Sequence, residues 1–321
     1  MELDLSKFSE FNHQVGGHTA SKTSLKAHDG ILLKPFQDKD RGVREKSFYE
    51  LVFSDKLSGK HSTIDEKHHS SDVTSLQPFL PCYYGSIHVP DPASISHDDN
   101  TTTGDDAKKI SKLRESVAPS KKEGSILGFL VLEDLTWKFD KPCVMDVKLG
   151  TKSYEATACS EKVAYEKSKF PLQEEMGFRI QGIKVYDPSA CRYIEYDKYF
   201  GRLPTSKEDV SRTFAHYFQF LSQTRRKQVI REFIVRLEQL KSWFETQHDF
   251  EFIASSLLFM HDQETKPLPK SHVDLRIIDF AHVQTLTTVY KKRDVGVLRG
   301  IVTIIDCLTN ILESEHIFVN L

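Results

Sequence analysis

Two ionisable side chains interrupt an apolar run near the middle of the sequence. Residues 142–150 read PCVMDVKLG, which predicts a buried strand, yet the run contains Asp146 and Lys148. Side chains two positions apart on a strand point to the same face, so we expect the carboxylate and the ammonium group side by side. Burying either charge without a partner costs several kcal/mol or shifts its pKa. The two residues therefore form a structural ion pair or line a cleft that handles charge, and Gly150 allows a turn or the close approach of a ligand.

A second carboxylate, Asp279, follows another apolar strand at residues 275–278. A lone carboxylate in that position needs a cation, and Mg²⁺ is suitable because it takes one or two protein carboxylates together with substrate phosphates. His282 follows closely and could face the same cleft. Upstream, Lys34 ends a predicted strand, a position used to hold nucleotide phosphates and also one where ordinary edge lysines occur.

The apolar segment 126–132 ends in Glu133, Asp134 and Leu135. Such an end resembles the hinge between the lobes of kinases, where main-chain groups contact adenine. An ordinary strand end is the alternative.

Three basic residues in predicted helices are candidates for anion binding. Lys162 and Lys169 share one face of a polar helix predicted over 155–170. Arg41 lies in the first turn of a helix predicted over 40–53, where the helix dipole favours anions. Each of them could instead be a solvated surface charge, the usual state of such residues.

The composition is that of an ordinary folded chain without a global charge field. Of the 321 residues, 39% are hydrophobic and 28% charged, and the formal net charge is −2, so no direct nucleic-acid binding is expected. Five scattered cysteines, none in C-x-x-C spacing, argue against a disulfide framework or zinc site and favour the nucleus or cytoplasm. The sequence predicts no signal peptide and no transmembrane segment.

Two polar stretches interrupt the N-terminal part. Residues 54–76 predict a surface insertion, and residues 90–124, which lack aromatic side chains, predict a disordered loop. The basic triplets 225–227 and 291–293 are interpreted as solvated charges or as nuclear-localisation patches.

Periodicity predicts most of the remaining elements. Strict alternation over 177–187 indicates a half-buried strand, with a weaker strand over 193–201. Residues 250–260 and 275–282 are predicted to pair as a hairpin. Helices are predicted over 205–221 (with a capping box introduced by Thr205), 225–247 and 295–312.

The motifs present and absent narrow the chemistry. No P-loop, dinucleotide-binding glycine fingerprint, His-Arg-Asp or Asp-Phe-Gly motif occurs. What remains is an Asp-x-Lys strand, a hinge-like strand end, an upstream strand lysine and a late aspartate. This combination indicates an ATP-dependent phosphotransferase, because phosphoryl transfer needs magnesium, a phosphate-holding lysine and a positioned hydroxyl, with little covalent chemistry from the protein.

Three motifs in order resemble those of the inositol polyphosphate kinase family: PxxxDxKxG at 142–150, SSLL at 255–258 and IDFAH at 278–282. The resemblance implies an α+β fold of two lobes, distantly protein-kinase-like, with antiparallel sheets and packed helices. The smaller lobe would comprise residues 1–132 and the larger lobe residues 133–321, with the helix over 155–170 contributing to inositol-phosphate binding.

Within the family, the short segment between Gly150 and Gly177 is more similar to the multikinases than to the trisphosphate 3-kinases, with the hexakisphosphate kinases a closer rival. The resemblance implies ATP- and Mg²⁺-dependent phosphorylation of inositol trisphosphate and tetrakisphosphate towards the pentakisphosphate. The alternatives are pyrophosphate formation on the hexakisphosphate, phosphorylation of phosphoinositide lipids, and a nuclear scaffold that binds transcription regulators and has a secondary kinase activity.

The resemblance also implies roles for individual residues. Lys34 would hold the phosphates of ATP, and Asp146 would contact the ribose or the reacting end of the site. Backbone groups of Glu133, Asp134 and Leu135 would contact adenine.

The catalytic set implied is Asp146, Lys148 and Asp279, in which Asp279 binds Mg²⁺ and the phosphates and Lys148 lies by the transferred phosphoryl group. The residues implied to contact inositol phosphates are Arg41, Lys148, Lys162, Lys169, Lys198 and His282.

One segment departs from the multikinase pattern. Between Lys162 and Lys169 that pattern is rich in glutamine, whereas residues 163–166 read VAYE. A carboxylate that faces a polyphosphate is repulsive. Glu166 is therefore expected to point away, or the substrate preference differs.

Overall fold

The computed structural model describes residues 3–16, 24–38, 40–54, 73–90, 126–263, 273–286 and 292–318. Most of the two polar stretches predicted as insertions lies outside these residues. The exceptions are the edge residues Ser54 and Pro90 and the end of the first stretch, which belongs to the 3-10 helix Val73–Phe79 and buries Leu76 completely. The predicted surface insertion therefore ends before Val73, because the residues that follow pack against the first α-helix and the core.

An N-terminal sheet of five antiparallel strands has the order β1-β2-β3-β5-β4. Its strands are β1 (Ser9–Glu10), β2 (Lys26–His28), β3 (Ile31–Pro35), β4 (Tyr83–Pro90) and β5 (Ile126–Glu133). Helix α1 (Arg41–Val52) follows β3 and packs beside β4. Residues Phe48, Tyr49 and Val52 of α1 are buried, which places one face of the helix in the core.

A second sheet of five antiparallel strands has the order β11-β10-β6-β7-β8, with the Asp146 strand at its centre. Its strands are β6 (Pro142–Leu149), β7 (Phe178–Asp187), β8 (Arg192–Tyr196), β10 (Ser256–Asp262) and β11 (Val273–Ile278). Strands β9 (Phe250–Phe252) and β12 (Val283–Thr285) form a separate pair. The predicted hairpin is present as β10 and β11, but its first strand is broken before Ser256, where Ala254 has a left-handed φ of 58°.

The helices of the C-terminal part are α2 (Ser160–Ser168), α3 (Gln173–Met176), α4 (Lys207–Ala215), α5 (Gln223–Thr246) and α6 (Val295–Glu313). The helix predicted from 155 thus begins only at Ser160, and α4 gives way at His216 to a 3-10 turn. The cap of α4 is Ser206, whose hydroxyl accepts a hydrogen bond from the Asp209 N–H at 3.2 Å. Thr205 instead bonds to the Asp209 carboxylate.

Strand β7 is buried on both faces as far as Val185, although alternation predicted a half-buried strand. One face of β7 is apolar because it packs against helices, and this accounts for the apolar residue at every second position. The opposite face is covered by the N-terminal segment: a Cβ placed at Gly182 would lie 2.9 Å from the Gly16 nitrogen. That face is therefore the floor of a cleft and not a solvent surface.

Helix α6 is long and apolar enough, by length and composition alone, to cross a membrane, which the sequence interpretation did not anticipate. In the fold, Val297, Ile301, Ile304 and Leu308 of this helix are fully buried. The helix packs along α5 and against α4. Its apolar character on this face is explained by the core it completes.

The basic triplet 225–227 is not a solvated patch, because Arg225 and Arg226 are both buried at the start of α5. The Arg226 guanidinium lies 3.5 Å from the centre of the Phe318 ring. The triplet 291–293 begins outside the described residues.

Candidate active site

A cavity of about 460 Å³ lies between the two sheets. This volume is in the range of small-molecule and cofactor sites. Its walls include every residue predicted to contact a nucleotide, namely Lys34, Glu133, Asp134, Leu135, Asp146 and Asp279. The fold therefore brings together side chains that are far apart in the sequence.

Lys34 of β3 lies between two carboxylates. Its Nζ is 2.7 Å from Oε1 of Glu45, in α1, and 2.5 Å from Oδ1 of Asp279, which follows β11. Burial would lower the pKa of Lys34, but Asp279 and Glu45 outweigh burial and raise the pKa. Glu45 is 1% exposed and also accepts a hydrogen bond from the Phe280 N–H at 3.2 Å. The lysine stays charged and holds both sheets at one point.

Asp279 has a left-handed backbone, with φ of 67°, which is strained for a residue with a side chain. The Ser255 hydroxyl donates to the Asp279 carbonyl at 3.0 Å, and the buried ring of Phe280 packs 4.7 Å from that of Phe48. Desolvation would raise the pKa of Asp279, but Lys34 and Lys148 lower it. Asp279 therefore presents an ionised side chain, 39% exposed, at the cavity.

Asp146 is 6% exposed, and its Oδ1 has no hydrogen-bond partner among the described residues. Burial and the negative charge of Asp279 raise the pKa of Asp146 to about 7, although Lys148 opposes this. Gly16 covers the carboxylate with φ of 71°, and a Cβ there would lie 2.9 Å from Oδ2, so a side chain cannot be accommodated. A cation or a hydroxyl donor would satisfy the free oxygen.

Lys148 does not close a structural pair with Asp146. No ion pair joins the two side chains in the part of the chain that the structure describes, and the Lys148 Nζ donates instead to the Ala254 carbonyl at 2.9 Å. Burial lowers the pKa of Lys148, while Asp279 and Asp146 oppose the shift. The ammonium group retains donors for a ligand, so the cleft alternative fits the geometry better than the ion-pair alternative.

The end of β5 uses part of its backbone internally. The Glu133 N–H donates to the Cys82 carbonyl at 2.9 Å, and the Asp134 N–H donates to the Gly30 carbonyl at 2.8 Å. The Asp134 carboxylate accepts from the N–H and hydroxyl of Thr136, at 2.9 and 2.7 Å. Within the described residues no hydrogen bond uses the Leu135 N–H, which leaves Leu135 as the main-chain donor of this segment for a ligand.

A second polar cluster joins α1 to the loop after β6. The His282 Nδ1 lies 2.7 Å from Oε1 of Glu155, and the Arg44 Nη1 lies 3.2 Å from the same oxygen. The bond to His282, and then the charge of Arg44, lower the pKa of Glu155. The ionised carboxylate fixes Nδ1 as the protonated nitrogen and leaves Nε2 of His282 for a ligand.

The lysines of α2 do not form a single basic face. The Lys169 Nζ lies 2.6 Å from Oε1 of Glu166 and 4.3 Å from the centre of the Tyr165 ring, whereas Lys162 is exposed. The charge of Glu166 also acts on Lys148. Glu166 therefore turns towards Lys169 and does not point away from the basic residues. The second alternative, a different substrate preference, stays a prediction.

The other two predicted anion-binding residues lie in separate places. Arg41 lines the cavity, and its Nε donates to the Asp38 carbonyl at 3.2 Å. Lys198 lies in the loop after β8, with its Nζ 5.5 Å from the centre of the Tyr199 ring.

Sequence reasoning missed Glu45, Glu155 and Arg179. Glu45 could have been recognised from the sequence, because it lies on the same face of the helix as the buried residues Phe48 and Tyr49. A buried carboxylate in that position requires a cation. Arg179 is 2% exposed and lies on β7, whose opposite face is apolar. Glu155 belongs to an irregular loop and carried no such pattern.

A larger cavity, of about 670 Å³, lies away from these residues beside α4 and α6. Its walls carry charges of both signs, including Lys207, Arg212, Glu208 and Asp306, and no predicted site residue lines it. In the described part of the chain, no group of three or more His, Cys, Asp or Glu side chains is arranged as a metal cage.

Comparison with known proteins identifies relatives. The family model described as inositol polyphosphate kinase matches residues 129–309, more than half of the chain. Inositol polyphosphate multikinase of Mus musculus is 34% identical over 262 residues, which cover 80% of this chain and 54% of that protein. Inositol hexakisphosphate kinase 2 of Homo sapiens is 29% identical over 226 residues, which cover 58% of this chain and 52% of that protein. The chain thus spans about half the length of these relatives.

A solved structure shares the fold. The crystal structure of an inositol phosphate multikinase from S. cerevisiae, in complex with ADP and Mn²⁺, covers 88% of this chain and 100% of that chain with a TM-score of 0.61 and 23% identity. The predicted α+β fold with antiparallel sheets is confirmed, as is the resemblance inferred from the three motifs.

Proposed function

This chain belongs to the inositol polyphosphate kinase family, and on that premise we propose that it transfers a phosphoryl group from ATP to a hydroxyl of an inositol polyphosphate. The observation that carries the proposal is the cavity between the sheets. There Lys34 is held between Glu45 and Asp279, and one oxygen of Asp146 has no hydrogen-bond partner in the described ranges. Phosphoryl transfer needs positioning and electrostatic stabilisation and little covalent chemistry, and these groups supply both.

The nucleotide half of the site follows from the cavity walls. Lys34 is fixed by its two carboxylates and would contact the phosphates as a preformed cation. The Leu135 N–H would donate to adenine at the end of β5. The Asp146 side chain, covered by Gly16, would contact the ribose or the reacting end of the nucleotide.

A divalent cation fits the carboxylates that are present. Asp279 and Asp146 both line the cavity, and burial with the Asp279 charge raises the pKa of Asp146, which a cation would reverse. Mg²⁺ is usually bound through one or two carboxylates, substrate phosphates and water, so a larger protein cage is not required. When bound, Mg²⁺ neutralises developing charge on the phosphates.

On the acceptor side, Lys148 would stabilise the migrating phosphoryl group, because its ammonium is anchored to the Ala254 carbonyl and partly buried. His282 would contact a substrate phosphate or hydroxyl through Nε2, with Glu155 holding the ring. Arg41, Lys162, Lys169 and Lys198 remain the predicted basic contacts.

For the substrate we propose inositol trisphosphate and tetrakisphosphate, converted towards the pentakisphosphate. This choice is supported by the 34% identity to a multikinase over 80% of the chain, against 29% over 58% for a hexakisphosphate kinase. We propose the nucleus or cytoplasm as the location, supported by five free cysteines.

The test is incubation of the full chain with ATP and Mg²⁺ and a panel of inositol tris-, tetrakis-, pentakis- and hexakisphosphates and phosphoinositide micelles, with products resolved by positional isomer. We expect new phosphate esters on the tris- and tetrakisphosphates. Lys148→Met should lower kcat by about a hundredfold or more without loss of folding, whereas the remote Lys207→Met should stay active. Pyrophosphate products would favour a hexakisphosphate kinase, and lipid products a lipid kinase. No product on any acceptor from folded, nucleotide-binding protein would refute the proposal.

A further inference from the structure

Arg179 is a buried cation that no side chain matches among the described residues. It is 2% exposed, and within the described ranges its Nε and Nη1 have no hydrogen-bond partner. Buried guanidinium groups normally bond through several of their five donors. The positive charge of such an arginine is either balanced by more distant carboxylates or available to bind an anionic ligand.

Strand register places Arg179 next to the catalytic lysine. Arg179 on β7 stands directly opposite Lys148 on β6. Directly opposite residues of an antiparallel pair project from the same face with Cβ atoms about 5 Å apart. The guanidinium group therefore belongs to the cleft face of the sheet, beside the group proposed to meet the migrating phosphoryl.

A second arginine lies at the same end of β7. A Cβ at Gly201 would collide with the Ile180 carbonyl oxygen, so the 3-10 helix Phe200–Arg202 is pressed against the residue that follows Arg179. Arg202 Nε is also buried and has no partner among the residues that the structure describes, and the guanidinium carbon of Arg202 lies 5.5 Å from the centre of the Tyr199 ring. Burial lowers the pKa of Arg179, and the positive charge of the nearby Arg202 lowers it further.

The nearby carboxylates do not neutralise this group. Glu166 is bound to Lys169 at 2.6 Å, and Asp279 is bound to Lys34. Asp146 is the remaining carboxylate that acts on Arg179, and its Oδ1 makes no hydrogen bond to Arg179 or to any other described residue. Lys148, Arg179 and Arg202 are thus three neighbouring cations, and no ion pair joins any of them to a carboxylate in the described part of the chain.

We propose that Arg179 and Arg202, beside Lys148, form a phosphate subsite that binds one of the ring phosphates of the acceptor. This inference rests on the proposed function and deepens it. Guanidinium groups suit this role because they bind phosphate oxygens through paired N–H donors. Lys198, on the Tyr199 ring that Arg202 also contacts, extends the same basic strip.

The test compares Arg179→Met and Arg202→Met with the wild type, using Arg192→Met, an exposed arginine on β8, as the control. We expect the KM for the inositol phosphate to rise by about tenfold to a hundredfold in the first two variants, as for loss of a charged hydrogen bond. The KM for ATP should not change. Arg179→Lys should restore part of the affinity.

A thermal measurement separates binding from structure. Methionine replaces an uncompensated buried charge, so Arg179→Met without ligand should melt at the wild-type temperature or above, yet inositol trisphosphate should stabilise it less than the wild type. A lower melting temperature with an unchanged KM in both variants would show a structural charge balance and overturn the inference. A rise in the KM for ATP alone would also overturn it. Absence of kinase activity in the wild type would instead refute the proposed function.

Discussion

Lys34 Nζ and Asp279 Oδ1 lie 2.5 Å apart although 245 positions separate the two residues in the sequence. Glu45 binds the same ammonium group from α1, at 2.7 Å. One cation therefore holds together the N-terminal sheet, its helix and the turn after β11. Without Lys34, two carboxylates would face each other, one of them almost fully buried.

Lys34→Met should lower the free energy of unfolding by about 3 kcal/mol, because removing one partner leaves buried charge uncompensated. The value lies at the low end of the usual range, since Asp279 is 39% exposed and can be rehydrated. Urea unfolding at neutral pH measures the effect. The double variant Lys34→Met with Glu45→Gln should recover much of the loss. If Lys34→Met alone is as stable as the wild type, the ion cluster does not stabilise the fold.

Much of this site could be predicted because the sequence places charge where apolar residues are expected. Asp146, Lys148 and Asp279 each interrupt or follow an apolar strand, and the fold brings their strands together through β10. The antiparallel pairing of β10 with β11 could be predicted from two apolar strands separated by a short polar loop.

What could not be predicted depends on contacts between distant segments. Gly16 covers the polar face of β7. An alternating pattern indicates that one face of a strand is apolar, but it does not show what packs on the other face. The pairing of Glu155 with His282 joins an irregular loop to the turn before β12. The sequence offers Glu166 several lysines as partners, and the structure shows that it bonds to Lys169, which directly follows α2.

Glu155→Gln should raise the KM for the inositol phosphate about tenfold with little change in the KM for ATP, because a charged hydrogen bond that orients His282 is lost. Steady-state kinetics with each substrate varied in turn separates the two constants. Glu155→Asp should retain part of the affinity, and Glu174→Gln, at a carboxylate 73% exposed, serves as the control. Equal changes in both KM values would argue for a general structural effect in place of orientation of His282.

His261 should make stability fall in acid. It is fully buried on β10, with its ring nitrogens 3.3 Å from the carbonyl oxygens of Tyr217 and Asp262, and burial lowers its pKa to about 4. Below pH 6.5 His261 binds a proton in the unfolded chain, whereas in the native protein it stays neutral down to about pH 4. The stability that neutral, buried His261 contributes is therefore complete above pH 6.5 and is lost progressively as the pH falls towards 4.

From pH 7.5 to pH 5 the histidine should reduce the free energy of unfolding by about 2 kcal/mol. Urea unfolding of the wild type and of His261→Gln at both pH values measures it, because every other titration is common to the two proteins. An identical pH dependence in both would mean that His261 is protonated in the native state too.

Glu166→Gln should shift the preference towards more highly phosphorylated acceptors. In the wild type, Oε1 of Glu166 forms an ion pair with the Lys169 Nζ at 2.6 Å, and the two side chains are only 14% and 18% exposed. Glutamine removes the repulsion and frees the ammonium group, so the KM for a tetrakisphosphate should fall about fivefold relative to that for a trisphosphate, as for an ion pair worth about 1 kcal/mol. Initial rates with both acceptors at saturating ATP measure the ratio. Glu161→Gln, at an exposed position of the same helix, should leave it unchanged. An equal ratio in Glu166→Gln and wild type would show that Lys169 does not contact the additional phosphate.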